Sequence, residues 1–136
     1  MKSIVYLAAP LSHPERWVMD FRERMATEAA AYLVATTGLT VLSPLTNSCP
    51  ISRAMDSLYG CKHGPMGFLS QDFWVQQFDR DLLEACSTLA ILRLEGWDYS
   101  QGIKTEIEIA KDKDIEIVYL FPTIIGGHIA RLQYPV

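Results

Sequence analysis

The sequence is short of cysteine, has no excess of positive charge and contains no long apolar run, and each shortage removes a class of protein. Its three cysteines, Cys49, Cys61 and Cys86, are an odd and widely spaced set, unlike the even, closely spaced set of a secreted disulfide framework. A reducing, cytoplasmic compartment is the expectation. Twelve Lys and Arg against sixteen Asp and Glu leave a net charge of -4, so no broad electrostatic pull acts towards a phosphate polymer or an anionic lipid surface. Neither a nucleic-acid polymer nor a membrane is expected as partner. The N-terminal apolar run, Ile4 to Ala9, stops at Pro10; it is shorter than a signal-peptide core and far below the ~20 residues that span a bilayer.

Missing motifs narrow the chemistry in the same way. There is no G-x-x-x-x-G-K-[ST] loop and no G-x-G-x-x-G turn, the signatures of P-loop and dinucleotide sites. No G-x-S-x-G elbow is present either. Cys49, Cys61 and His63 lack C-x-x-C or H-x-x-x-H spacing, so neither a metal nor a cofactor is expected.

What is there is an ordinary globular composition: 136 residues, 49% hydrophobic and 21% charged. One domain over residues 1–136 is expected, long enough to bury a core without staples. Ile4 to Ala9 has the continuous apolar pattern of a strand covered on both faces. Ser12 and Glu15 have capping-box spacing with Pro14 between them, which predicts a helix carrying Trp17, Phe21, Met25, Ala29, Tyr32 and Leu33 and ending at Gly38. Leu39 to Ser43 reads as a second strand ended by Pro44. Residues 45–70 read as irregular around a short helix near 52–59, because Pro50, Gly60, Gly64, Pro65 and Gly67 interrupt them.

From Gln71 a helix is expected, with Trp74, Phe78, Leu82, Ala85 and Cys86 on one face. A strand from Thr88 to Leu94, a loop to Gln101, a helix over about 102–112 and a strand from Ile115 to Phe121 closed by Pro122 follow. The tail, with Gly126-Gly127 and Ile129 to Leu132, has no assigned role beyond a possible fifth strand. Strands separated by helices imply right-handed crossovers and an α/β, flavodoxin-like or Rossmann-like three-layer sandwich, with a mainly parallel sheet in the order 2-1-3-4. That order puts the topological switch between strands one and three, where ligands bind at the strands' carboxyl ends. The loops to search are therefore Ala8-Ala9-Pro10-Leu11-Ser12 and Glu95 to Gly102.

The helix after the second of these loops places Ile103, Ile107 and Ala110 inward and Lys104, Glu108 and Lys111 outward. Glu106 is three residues after Ile103 and four before Ala110, so it shares the inward face. A carboxylate there is a functional-site candidate, or a glutamate near the helix start favoured by the dipole. Ser100 and Gly102 at the helix start offer an anion cradle, or simply a cap.

Tyr6 in Val-Tyr-Leu-Ala-Ala-Pro, Ser43-Pro44, the segment Asp79-Arg-Asp-Leu-Leu-Glu-Ala-Cys and Gly96-Trp-Asp-Tyr-Ser-Gln-Gly-Ile-Lys-Thr-Glu-Ile together resemble the nucleoside 2-deoxyribosyltransferase-like family, over residues 3 to about 121. That family includes 2'-deoxynucleoside 5'-phosphate N-hydrolases, and the segment Leu-x-Gly-Trp-x-x-Ser-x-Gly most resembles a bacterial and phage branch. The resemblance implies Glu106 as nucleophile, in Ser-x-Gly-x-x-x-Glu spacing, Tyr6 as its orienting partner, and Ser100 with Gly102 as the 5'-phosphate contact. It implies Asp79 facing the nucleobase, or Asp81, which a helix turns about 200° away. Ala8, Ala9, Pro10, Ser12, Gly96 and Trp97, from the two loops at the topological switch, complete the expected substrate-binding set.

Two departures stand out. Ser87 replaces the aspartate with which relatives start strand three, and residues 45–72 form an insertion whose Asn47, Ser48, Ser52, Arg53, Lys62 and His63 could reach a polar substrate. The implied activity is cleavage or transfer of the N-glycosidic bond of a nucleoside or nucleoside 5'-monophosphate; the alternative is a nucleotide-sensing module that binds without turnover. A homodimer or larger homo-oligomer, a neighbour's C-terminal segment completing the site, is implied as well.

Overall fold

The computed structural model describes residues 3–59 and 74–133. Five strands, β1 (Ile4–Ala8), β2 (Thr40–Leu42), β3 (Thr88–Leu92), β4 (Glu116–Ile125) and β5 (His128–Gln133), form one strongly curled sheet in the order β2-β1-β3-β4-β5. The first four are parallel neighbours, with Val5 opposite Thr88 and Leu89 opposite Ile117. The fifth is antiparallel to β4.

The strands read as continuous apolar runs because helices cover both faces. On one side Val5, Leu7, Ala9, Ala90, Leu92 and Leu120 pack with Met25, Ala26, Ala29 and Leu33 of α1 (Arg16–Thr37) and Leu45 of α2 (Pro44–Tyr59). On the other, Tyr6, Ala8, Leu89 and Ile91 pack with Leu83 of α3 (Asp79–Glu84), the adjacent Cys86, and Ile103, Ile109 and Ala110 of α4 (Gln101–Asp112). Alternate residues of one strand thus serve two cores, and this period of two sends Tyr6 towards α4. Among the described residues no helix is long and apolar enough to cross a membrane.

Several expected boundaries move. The helix expected to be capped by Ser12 starts at Arg16, with Glu15 at the N-cap position and no side-chain cap bond; His13 Nδ1 instead accepts the Glu15 amide at 3.0 Å. Its end is as expected, because Gly38 takes the left-handed conformation at φ 70°. Strand two is only Thr40–Leu42. The stretch expected to be irregular after it is helical from Pro44 to Tyr59, with Pro50 inside; Pro44 sits at the first helical position, where its missing N–H is no loss.

The helix expected from Gln71 is, where described, a π-helical turn at Trp74–Phe78 running into α3. Residues 60–73, and with them Cys61, Lys62 and His63, lie outside the described residues. Strand three stops two residues earlier than expected, at Leu92.

Pro122 does not close strand four. β4 runs on to Ile125, and the glycine pair Gly126-Gly127, at φ 61° and 79°, turns it into β5. Proline is tolerated because β4 is paired with β3 only as far as Leu120; beyond that its one strand neighbour among the described residues is β5, where Pro122 lies opposite Leu132.

Candidate functional site

β1 and β3 are adjacent and their chain connections leave in opposite directions, so the loops after them part and leave a cleft of about 1490 Å³ at their carboxyl ends. Ala9, Pro10, Leu11 and Ser12 line it from the first loop, and Leu94, Glu95, Gly96, Tyr99, Ser100, Gln101 and Gly102 from the second. α2 contributes Ser48 and Ser52, and the start of α3 contributes Asp79.

Glu106 is in this cleft and only 8% exposed. It stands one and a half turns into α4, on the stripe that carries Ile103 and Ala110, and the Tyr6 hydroxyl donates a hydrogen bond to its Oε2. Burial pushes the Glu106 carboxyl up to about 8; the bond from Tyr6 opposes that rise and the nearby charge of Asp79 adds to it. Tyr6 is wholly buried, and burial, together with Glu106, drives its hydroxyl well above the ordinary value of 10. Tyr6 therefore stays protonated and is a fixed hydrogen-bond donor to Glu106.

Asp79 is half-buried and lines the same cleft. The Ser48 hydroxyl donates to its Oδ1 at 2.6 Å. Burial raises the Asp79 pKa and the Ser48 bond works against it. Of the two aspartates the sequence left open, Asp79 faces the cleft; Asp81 is exposed and is not among the cleft residues.

The other expected positions divide. Ser100 lines the cleft and is also the cap of α4, its Oγ accepting the Ile103 amide at 3.2 Å. Gly102, Gly96, Ala9, Pro10 and Ser12 line the cleft too. Ala8 and Trp97 do not: Ala8 is buried in the sheet, and the Trp97 indole packs edge-on against Tyr119 with ring centroids 5.6 Å apart. Ile124 of β4 lines the cleft of its own chain, so the segment expected to reach a neighbour is, through Gln133, folded onto its own sheet.

Arg22 is the residue that sequence reasoning missed. It is a buried arginine in α1 whose Nη1 donates to the carbonyls of Ser12 at 3.0 Å and Leu11 at 3.4 Å, and whose Nη2 donates to that of Glu95 at 2.9 Å. One guanidinium thereby ties together the two loops that frame the cleft. Gly96 makes room for it: the backbone there has φ 92°, and a Cβ would lie 2.6 Å from Arg22 Nη2. The signal was legible, because Arg22 is in helical phase with Ala26, Ala29 and Leu33, all buried.

Residues 3–121 match the family model described as Domain of unknown function (DUF1937). The chain belongs to that family. The family match takes in Tyr6, Asp79, Ser100 and Glu106 and ends where β4 outruns β3, leaving the last residues of β4 and all of β5 outside it. No curated protein matches the chain.

Proposed function

We propose that the protein cleaves or transfers the N-glycosidic bond of a nucleoside or nucleoside 5'-monophosphate, with Glu106 as nucleophile. The observation that carries the reading is the buried Glu106 carboxyl at the cleft floor, held by the Tyr6 hydroxyl and accompanied by Asp79. Breaking a C1'–N bond builds positive charge at the anomeric carbon, and a carboxylate beneath the ring stabilises that charge and can trap it as an ester. Tyr6 keeps Glu106 in one rotamer.

In the first step C1'–N breaks as C1'–Oε forms, and the departing base, hydrogen-bonded by Asp79, takes a proton from solvent. In the second, water attacks C1', its proton goes to Asp79, and the Glu106 carboxylate is released. A second base in place of water makes the reaction a transfer. The step needs Glu106 ionised, so kcat/KM is expected to climb with pH towards a plateau above about 8.

The resemblance to the nucleoside 2-deoxyribosyltransferase-like family supports the same reading and a homo-oligomer; the alternation of strands and helices supports a flavodoxin-like or Rossmann-like architecture, and the odd, widely spaced cysteines support cytoplasmic residence. Incubation with a panel of deoxynucleosides and their 5'-monophosphates should release free base, and Glu106→Gln should stop it. Base release at the wild-type rate from Glu106→Gln would sink the nucleophile assignment. Tight binding without release by the wild type would leave a sensing module instead. Light scattering tests assembly, a monomer at working concentration counting against the oligomer.

A further inference from the structure

Four arginines line the cleft, and three of them are committed to protein acceptors. Arg16 pairs with Asp20 at 3.1 Å, Arg22 is spent on three backbone carbonyls, and Arg53 pairs with Glu23. Arg93 is different. Its guanidinium carbon lies 4.6 Å from the centroid of the Trp97 ring and 4.4 Å from that of Phe121. Its Nε is buried without a hydrogen-bond partner, and among the described residues no carboxylate or carbonyl accepts from the head group.

The cause is in the fold. Arg93 follows the last residue of β3, where its amide still bonds the Leu120 carbonyl at 3.0 Å, so its backbone is locked while its side chain emerges at the cleft. Trp97 from the β3 loop and Phe121 from β4 supply the two rings.

Two rings stabilise a guanidinium by cation–π attraction and hold its plane, yet they satisfy none of its N–H groups. A planar fork held this way and short of acceptors matches an oxyanion that can accept two parallel bonds. The neighbouring first turn of α4 holds no acidic residue, and its Gln101 and Gly102 line the same cleft. Of the acids that line the cleft, Glu106 and Asp79 are held by Tyr6 and Ser48, Asp20 and Glu23 pair with Arg16 and Arg53, and Glu95 is exposed; none of them accepts from the fork.

We infer that Arg93 is a specificity-determining residue that anchors an oxyanion of the ligand, and that this oxyanion is a phosphomonoester. The second half rests on the N-glycoside reading above and sharpens it: the substrate is the phosphorylated nucleotide, discriminated from the free nucleoside by Arg93. Removing a charge-assisted, two-pronged contact lowers affinity by on the order of 10- to 100-fold.

The test is calorimetric titration of the whole chain with inorganic phosphate, and with a deoxynucleoside 5'-monophosphate beside the same nucleoside without phosphate. Wild type should bind phosphate saturably and prefer the nucleotide. Arg93→Gln should weaken phosphate binding and shrink the nucleotide-over-nucleoside preference at least tenfold. Arg93→Lys, which keeps the charge and the ring contacts but not the fork, should fall between, and thermal melts of both variants establish that they fold.

Unchanged phosphate affinity in a folded Arg93→Gln overturns the proposal. Equal weakening of nucleotide and nucleoside also overturns it, because that is the signature of a merely structural residue. None of these readouts needs turnover, so failure of base release and failure of the Arg93 assignment are separate results.

Discussion

Glu106 keeps a proton to a pH at which an exposed glutamate would long since have lost it, and that single fact has consequences for stability as well as chemistry. The unfolded chain releases this proton near 4.5, the folded protein near 8. Between those values the folded state binds more protons, so stability falls as pH rises through the window and the penalty is complete above about 8. Glu106→Gln escapes it. The variant should melt a few degrees higher than wild type at pH 8 and show a smaller difference near pH 5, by calorimetry, while losing on the order of 10³-fold or more in kcat. Tyr6→Phe removes the bond that lowers the Glu106 pKa, so the acid limb of the kcat/KM profile should move to higher pH, with about a tenfold loss at pH 7. An acid limb that stays in place in Tyr6→Phe would mean that the tyrosine does not control the carboxyl.

Elements hold these residues in place through a few joints. The Arg22–Gly96 joint locks the β1 and β3 loops to α1, and a methyl at residue 96 meets both a left-handed backbone and the guanidinium at 2.6 Å. Gly96→Ala should therefore cost about 1–3 kcal/mol in urea denaturation and weaken ligand binding, since both cleft loops are anchored there. A second joint pins the hairpin to α1: Glu28 accepts the Ile129 amide at 2.9 Å and meets His128 Nδ1 at 3.0 Å, while Arg24 donates to the Gly127 carbonyl at 2.7 Å. The bond with His128, then the Ile129 amide, hold the Glu28 carboxyl below its ordinary value. This contribution is present above about 4.5 and fades as acid protonates the carboxylate. Glu28→Ala should speed hydrogen exchange in residues 128–133 with β1 and β3 unaffected; uniform acceleration along the chain would contradict a local joint.

At the scale of the molecule, two apolar layers clamp one curled sheet, and β3 lies between β1 and β4 with side chains in both layers. Leu92 is fully buried at its end, beneath the cleft. Leu92→Ala should lower stability by about 2–5 kcal/mol in the same denaturation experiment, the range for an aliphatic cavity that only partly collapses. The candidate site depends on this packing, because Tyr6 and Glu106 are about a hundred residues apart in sequence and meet only when β1 and α4 share the second layer.

The sequence alone determined what depends on neighbours a few residues away. Continuous apolar runs marked the parallel strands, the 3.6 period marked the inward face of Glu106, glycine's backbone freedom marked the stop at Gly38, and the alternation of strands and helices carried the order of the first four strands. Tertiary contact decided the rest, in each case because a distant partner overrode a local signal. Pro50 reads as a breaker and sits inside α2, and Pro122 reads as a stop although the neighbouring β5 carries β4 past it. Asp79 and Asp81 are equivalent as letters; the fold turned one into the cleft under Ser48 and left the other exposed. Arg22 and Arg93 carry the same charge, and only their surroundings separate them: three carbonyls for the first, two aromatic rings and no acceptor among the described residues for the second.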